Sequence, residues 1–84
     1  MKVEEKLEQL GYLIFIGENN VNIGCKYLNN TYIHMTIKNG KLYDFDVRGN
    51  LFIKHQSDID NIQTMYSILQ SDLKELENEY KNIW

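Results

Sequence analysis

Few side chains in this chain can act as bases, nucleophiles or ligands: His34 and His55, the single cysteine Cys25, and carboxylates that include the near neighbours Asp44 and Asp46. Laid out as successive hairpins, residues 12–55 bring His34, Asp44 and Lys54 into one row across neighbouring strands, with Lys26, Tyr32, Asp46 and Phe52 beside it. A histidine next to a carboxylate is half of a general-base arrangement, and Asp44 with Asp46 offers oxygen ligands to a hard cation. A plainer role is better supported. Opposite charges on facing strands stabilise a sheet by about 0.2–1 kcal/mol with no further duty, and two acids without additional ligands hold a metal poorly. Cys25 falls mid-strand on the face assigned to the core, where a thiol behaves as a small hydrophobe. The sequence contains no glycine-rich phosphate loop, metal-ligand spacing or nucleophile motif. The expectation is no catalytic residue, no metal and no cofactor.

The same polar face carries Tyr32, Leu42 and Phe52. Large apolar groups set among charges are the composition of a protein-binding surface. Tyr32, His34, Asp44, Asp46, Phe52 and Lys54 are therefore the candidate partner-binding residues.

Composition excludes other classes of partner. The 84 residues carry a net charge of −3, and Arg48 is the one arginine among nine cationic residues. Nucleic-acid binding leans on clustered positive charge and on bidentate arginine, so neither its affinity nor its specificity has a source here. A lone cysteine forms no internal disulfide, which fits a reducing compartment and makes the cytoplasm the expected location. The apolar run at residues 10–16 is far short of the roughly 20 residues of a membrane helix. It follows Glu4, Glu5 and Glu8, whereas a signal peptide opens with positive charge, so neither membrane nor export is expected. Proline and alanine are absent while Asn, Ile, Lys and Tyr abound, a bias of AT-rich coding sequences such as those of low-GC bacteria and their phages.

The elements follow from periodicity. Val3, Leu7 and Leu10 predict a short amphipathic helix over residues 1–10, closed by Gly11. From Tyr12 to His55 the period is two, broken at 17–20, 29–30, 39–40 and 49–50, which predicts an antiparallel meander of about five strands. Because a one-residue slip exchanges the faces of a strand, demanding one wholly apolar face selects the register. It requires a four-residue loop at 17–20 and three-residue loops at 28–30, 38–40 and 48–50. These pair Ile14 with Ile23, Cys25 with Ile33, Met35 with Tyr43 and Val47 with Leu51, and they turn Val21, Ile23, Cys25 and Tyr27 toward the core.

Ser57 as N-cap, with Asp58 and Asp60 in the first turn, predicts a helix over residues 58–83. Its apolar positions, from Ile59 and Ile62 through Tyr66 to Ile83, alternate steps of three and four, the coiled-coil period. At about 39 Å such a helix outruns a sheet of seven-residue strands, roughly 23 Å long. The surplus leaves Leu69, Leu73, Leu76, Tyr80, Ile83 and Trp84 to pack on a second copy as a homodimer interface.

The sequence thus describes a single α+β domain over residues 1–84: a short helix, a five-strand meander, and a long helix that covers one sheet face and continues into an oligomer interface. The function expected of it is that of a small cytoplasmic protein-binding module acting on a partner's surface. Its compactness, acidity and codon bias match the proteins that phages and mobile elements use to inhibit bacterial defence enzymes such as nucleases. The alternative is a structural subunit whose long helix docks into a larger assembly.

Overall fold

The structure, a computed structural model, describes residues 2–49 and 53–80. Helix α1 (Val3–Gln9) opens the chain and buries Val3 and Leu7. Its exit is a Schellman motif: the Gly11 N–H donates to the Glu8 carbonyl at 3.0 Å and the Tyr12 N–H to the Leu7 carbonyl at 2.9 Å, with Gly11 at φ +100°. Tyr12 and Leu7, joined by this closure, both enter the core.

Four antiparallel strands follow in chain order, β1 (Leu13–Ile16), β2 (Val21–Leu28), β3 (Thr31–Lys38) and β4 (Lys41–Gly49). Their register differs from the one that a single apolar face demands. Two-residue turns at Asn29-Asn30 and Asn39-Gly40 set Leu28 opposite Thr31 and Lys38 opposite Lys41, with Asn29, Asn39 and Gly40 at positive φ. Turn chemistry outranks the hydrophobic pattern here, because asparagine and glycine tolerate the left-handed conformation that short hairpin turns require.

The consequence is largest on β2. Cys25 pairs with His34 instead of Ile33, and Ile14 with Gly24 instead of Ile23. Val21, Ile23, Cys25 and Tyr27, expected in the core, occupy the opposite face, and Asn22, Gly24, Lys26 and Leu28 point toward the helices. Gly24 lies beneath α1: a Cβ there would sit 3.5 Å from Leu7 Cδ1.

On β4 a bulge restores the pattern. The ladder shifts between Thr36/Ile37, which pair with Asp44 and Leu42, so Tyr43 is the extra residue. Met35 therefore faces Phe45, not Tyr43. Leu42, expected on the outer face, is buried, and Tyr43, expected in the core, is 65% exposed.

The fifth strand is absent among the described residues. Ile53, Lys54 and His55 form no ladder, and the pairing of Val47 with Leu51 falls on a residue outside them. The segment instead prepares helix α2 (Gln56–Glu79), which begins before the expected Ser57 cap with His55 as N-cap. Asp58 is responsible: its Oδ2 accepts the backbone N–H groups of Lys54 and His55, each at 2.9 Å, satisfying donors that the helix start leaves open.

Helix α2 lies along the inner sheet face. Ile33, Met35, Ile37, Leu42 and Val47 of the sheet share one core with Met65, Leu69 and Leu76 of α2 and with Val3 and Leu7 of α1. This corrects the expected dimer seam. Leu69 and Leu76 are fully committed to the chain's own core, and Leu73 and Tyr80 pack against it; Ile83 and Trp84 lie outside the described residues. At 24 residues, about 36 Å, the helix is still longer than the nine-residue β4, about 30 Å, but its far part shares the core with Val3 and Leu7 of α1, which extends the inner surface. At the far end α2 stops at Glu79; Tyr80 adopts extended backbone and its hydroxyl donates to the Lys2 carbonyl at 2.9 Å.

Two outcomes test this account. Gly11→Ala should lower unfolding stability by about 1–2 kcal/mol, the cost of a left-handed non-glycine residue, measured by urea denaturation. The backbone bonds to Asp58 hold its carboxyl below the usual carboxylate range, so the folded state favours its ionised form. That stabilisation is complete above the unfolded value, about pH 4, and is lost as pH falls through the folded value. The melting temperature should drop in that window, and Asp58→Asn should flatten the drop.

Candidate functional site

The residues with chemical capacity divide between the two faces of the sheet. On the inner face, Asp72 of α2 is 6% exposed and accepts hydrogen bonds from the Tyr12 hydroxyl at 2.8 Å and from Lys26 Nζ at 3.0 Å. Lys26 also lies over the Tyr12 ring, 5.2 Å from its centroid. Burial, followed by the bond to Asp72, pushes the Tyr12 phenol far above its ordinary value and keeps it a neutral donor. Lys26, expected on the outer face, is thus a structural cation. Nearby, Asn22 donates to Glu4 of α1 at 2.8 Å. The polar residues that β2 turns inward all meet helix partners or, at Gly24, make room for one.

The outer face is covered by neither helix. Four cross-strand rows cross it: Phe15, Ile23, Thr36 and Asp44; Leu13, Cys25, His34 and Asp46; Tyr27, Tyr32 and Arg48; and Val21, Lys38 and Lys41. Each row runs from apolar on the β1–β2 side to polar or charged on β4. Leu13, Phe15 and Tyr27 are 58%, 51% and 56% exposed, which is high for large hydrophobic side chains on one contiguous surface. Tyr27 and Tyr32 stack with centroids 5.1 Å apart, and Lys38 lies 5.1 Å from the centroid of the Tyr43 ring.

Tyr32, His34, Asp44 and Asp46 do share this face, but not in the expected row. His34 faces Asp46, Asp44 faces Thr36, and Lys54 lies outside the sheet in the approach to α2. Phe52 is outside the described residues. His34 Nδ1 is 3.9 Å from Asp46 Oδ1, too far for a hydrogen bond, and is buried without a hydrogen-bond partner. The Asp46 carboxylate is instead engaged by Arg48, whose Nε donates to both oxygens at 2.9 and 3.0 Å. Cys25 sits beside His34, yet burial pushes its thiol up from its ordinary value. The row Cys25, His34, Asp46 therefore has the residue types of a nucleophilic triad but lacks an activated thiol and a bonded base.

Leu13, Phe15, Ile23 and Tyr27 were not among the candidate residues. A signal for them exists: residues 13–16, Leu-Ile-Phe-Ile, are apolar on both faces of a strand, so no register can hide all of them on one side. No protein-family model, curated protein or solved structure matches the chain.

A buried thiol with a raised pKa reacts slowly. Alkylation of Cys25 by iodoacetamide at neutral pH should be at least about tenfold slower in the folded protein than in urea, read by mass spectrometry; equal rates would mean that the outer face does not cover it.

Proposed function

We propose that this protein is a protein-binding module that seats a partner on the outer face of its sheet. The supporting observation is the inversion of β2. By turning Asn22, Gly24 and Lys26 inward and providing Glu4, Leu7 and Asp72 to receive them, the chain leaves Val21, Ile23 and Tyr27 outward beside Leu13 and Phe15. A domain built for stability alone would bury that row. One of this size has little apolar surface to leave outside its core.

The gradient along the rows describes the partner. Its contact surface is apolar where it meets Leu13, Phe15, Ile23 and Tyr27, and polar, with hydrogen-bond donors or positive charge, where it meets Thr36, Asp44 and the His34 edge. Exposed aromatics with a polar border are the anatomy of binding hot spots, of which tyrosine is a frequent member. The module acts by occupying a partner's surface; binding needs no chemistry from Cys25 or His34.

The test is a differential capture. Tagged wild type, Phe15→Asp, Tyr27→Asp and the α2-surface variant Gln70→Lys are presented to the same bacterial lysate after circular dichroism has shown that each is folded. A protein held by wild type and Gln70→Lys should be lost from both face variants, with its affinity reduced at least about tenfold. Identical capture by all four would remove the outer face as the docking site.

A further inference from the structure

The two edges of the sheet are built differently. The β4 edge carries Lys41, Asp44, Asp46 and Arg48 and a bulge at Tyr43, devices that keep a strand edge from pairing with another chain. The β1 edge has none of them. Residues 13–17, Leu-Ile-Phe-Ile-Gly, contain no charge and no proline, and the pairing of β1 with β2 is regular. Among the described residues no further strand lies beyond β1, and no backbone hydrogen bond outside its ladder with β2 engages Leu13 to Ile16. Ile16, on the helix side, is 78% exposed, and Leu13 and Phe15, on the other, are 58% and 51% exposed. An open row of backbone donors and acceptors is thus flanked by apolar side chains on both sides.

We infer that β1 pairs antiparallel with β1 of a second copy, joining two four-stranded sheets into one of eight. Side-chain parity restricts the register, since residues paired across an antiparallel ladder share a face. A two-fold axis through Phe15 satisfies it: Phe15 meets its own copy on the outer face, and Ile14 meets Ile16 of the other copy twice on the inner face. The axis falls at Phe15 and not at Ile14 because the start of β1 is occupied by Tyr12, 3% exposed, and by the turn into α1, while its other end is open at Ile16. Within the paired strands no like charges oppose one another, so a copy of this chain is a compatible occupant. The corresponding pairing at β4 would bring Asp44 and Asp46 toward their own copies.

The interface is small. The exposed parts of Leu13, Phe15 and Ile16 with the open backbone amount to about 400–500 Å² per copy, placing the pair near the roughly 1,000 Å² lower bound of specific interfaces. The dimer is accordingly weak and concentration-dependent, as interfaces at the small end of the range are. It sets the Leu13 and Phe15 rows of two copies side by side on one continuous outer face, but does not rest on that face having a partner.

Sedimentation of the full chain across a concentration series tests the inference. The wild-type mass should rise from 10.0 kDa toward twice that value, and Ile16→Lys, altering a side chain already in solvent, should remain monomeric. Tyr27→Asp, on the outer face but off the edge, should dimerise like wild type, which separates this interface from the proposed docking site. Amide exchange at millimolar protein should show added protection within residues 13–16. A mass of 10.0 kDa throughout the series, or a dimer that survives Ile16→Lys, would overturn the pairing.

Discussion

The carboxylate of Asp72 is the interaction on which the arrangement turns. A buried acid is tolerated only when paired and hydrogen-bonded, and this one has two partners from different parts of the chain, Tyr12 just before β1 and Lys26 in β2. To reach it, Lys26 must point toward α2. Alternation along β2 then obliges Cys25 and Tyr27 to point away, so one ion pair between helix and sheet is coupled to which side of β2 faces the solvent. Breaking it at Asp72 would strand a cation and a phenol at the helix interface, a more severe loss than that of any exposed ion pair.

The same contact orients α2. Asp72 lies between Leu69 and Leu76 on the helix surface that meets the sheet, and these two leucines enter the core with Met65. Among the described residues the apolar stripe from Met65 to Tyr80 is therefore closed onto its own domain, apart from the exposed Tyr66, and the heptad-like spacing reflects a helix lying along a sheet. Both geometries ask for an apolar residue every three or four positions, so spacing alone does not separate them. Strand length and the participation of α1 make the difference, together with the Tyr80 hydroxyl that ties the end of α2 to the start of α1.

With both helices on one side, the outer face is left with its aromatic and aliphatic rows. Its polar border is internally organised, Arg48 holding Asp46 by both oxygens, whereas the β1–β2 half offers side chains with nothing above them among the described residues. That asymmetry is the basis for regarding the face as a docking surface and the β1 edge as a place for a second copy. It follows from a chain with more apolar strand positions than two helices on one side of the sheet can cover.

The sequence by itself determined the element types and most of their order. Val3, Leu7 and Gly11 define the first helix and its stop; the alternation from Tyr12 onward defines antiparallel strands; and the unbroken polar and apolar spacing after Ser57 defines the long helix. It also marked Tyr32, His34, Asp44 and Asp46 as lying on one side of the sheet. Which side of β2 joins them was decided by tertiary structure. Val-Asn-Ile-Gly-Cys-Lys-Tyr-Leu reads as apolar toward the core if only the strand is considered, because the pattern contains no information about Asp72, 46 residues beyond Lys26, or about Glu4 waiting for Asn22. Likewise the bulge at Tyr43 and the start of α2 at Gln56 depend on pairings with β3 and on the reach of Asp58. Periodicity reports local solvent preference, whereas register is fixed where turns and distant polar partners meet, and in a strand apolar on one side and satisfiable on the other those partners prevail.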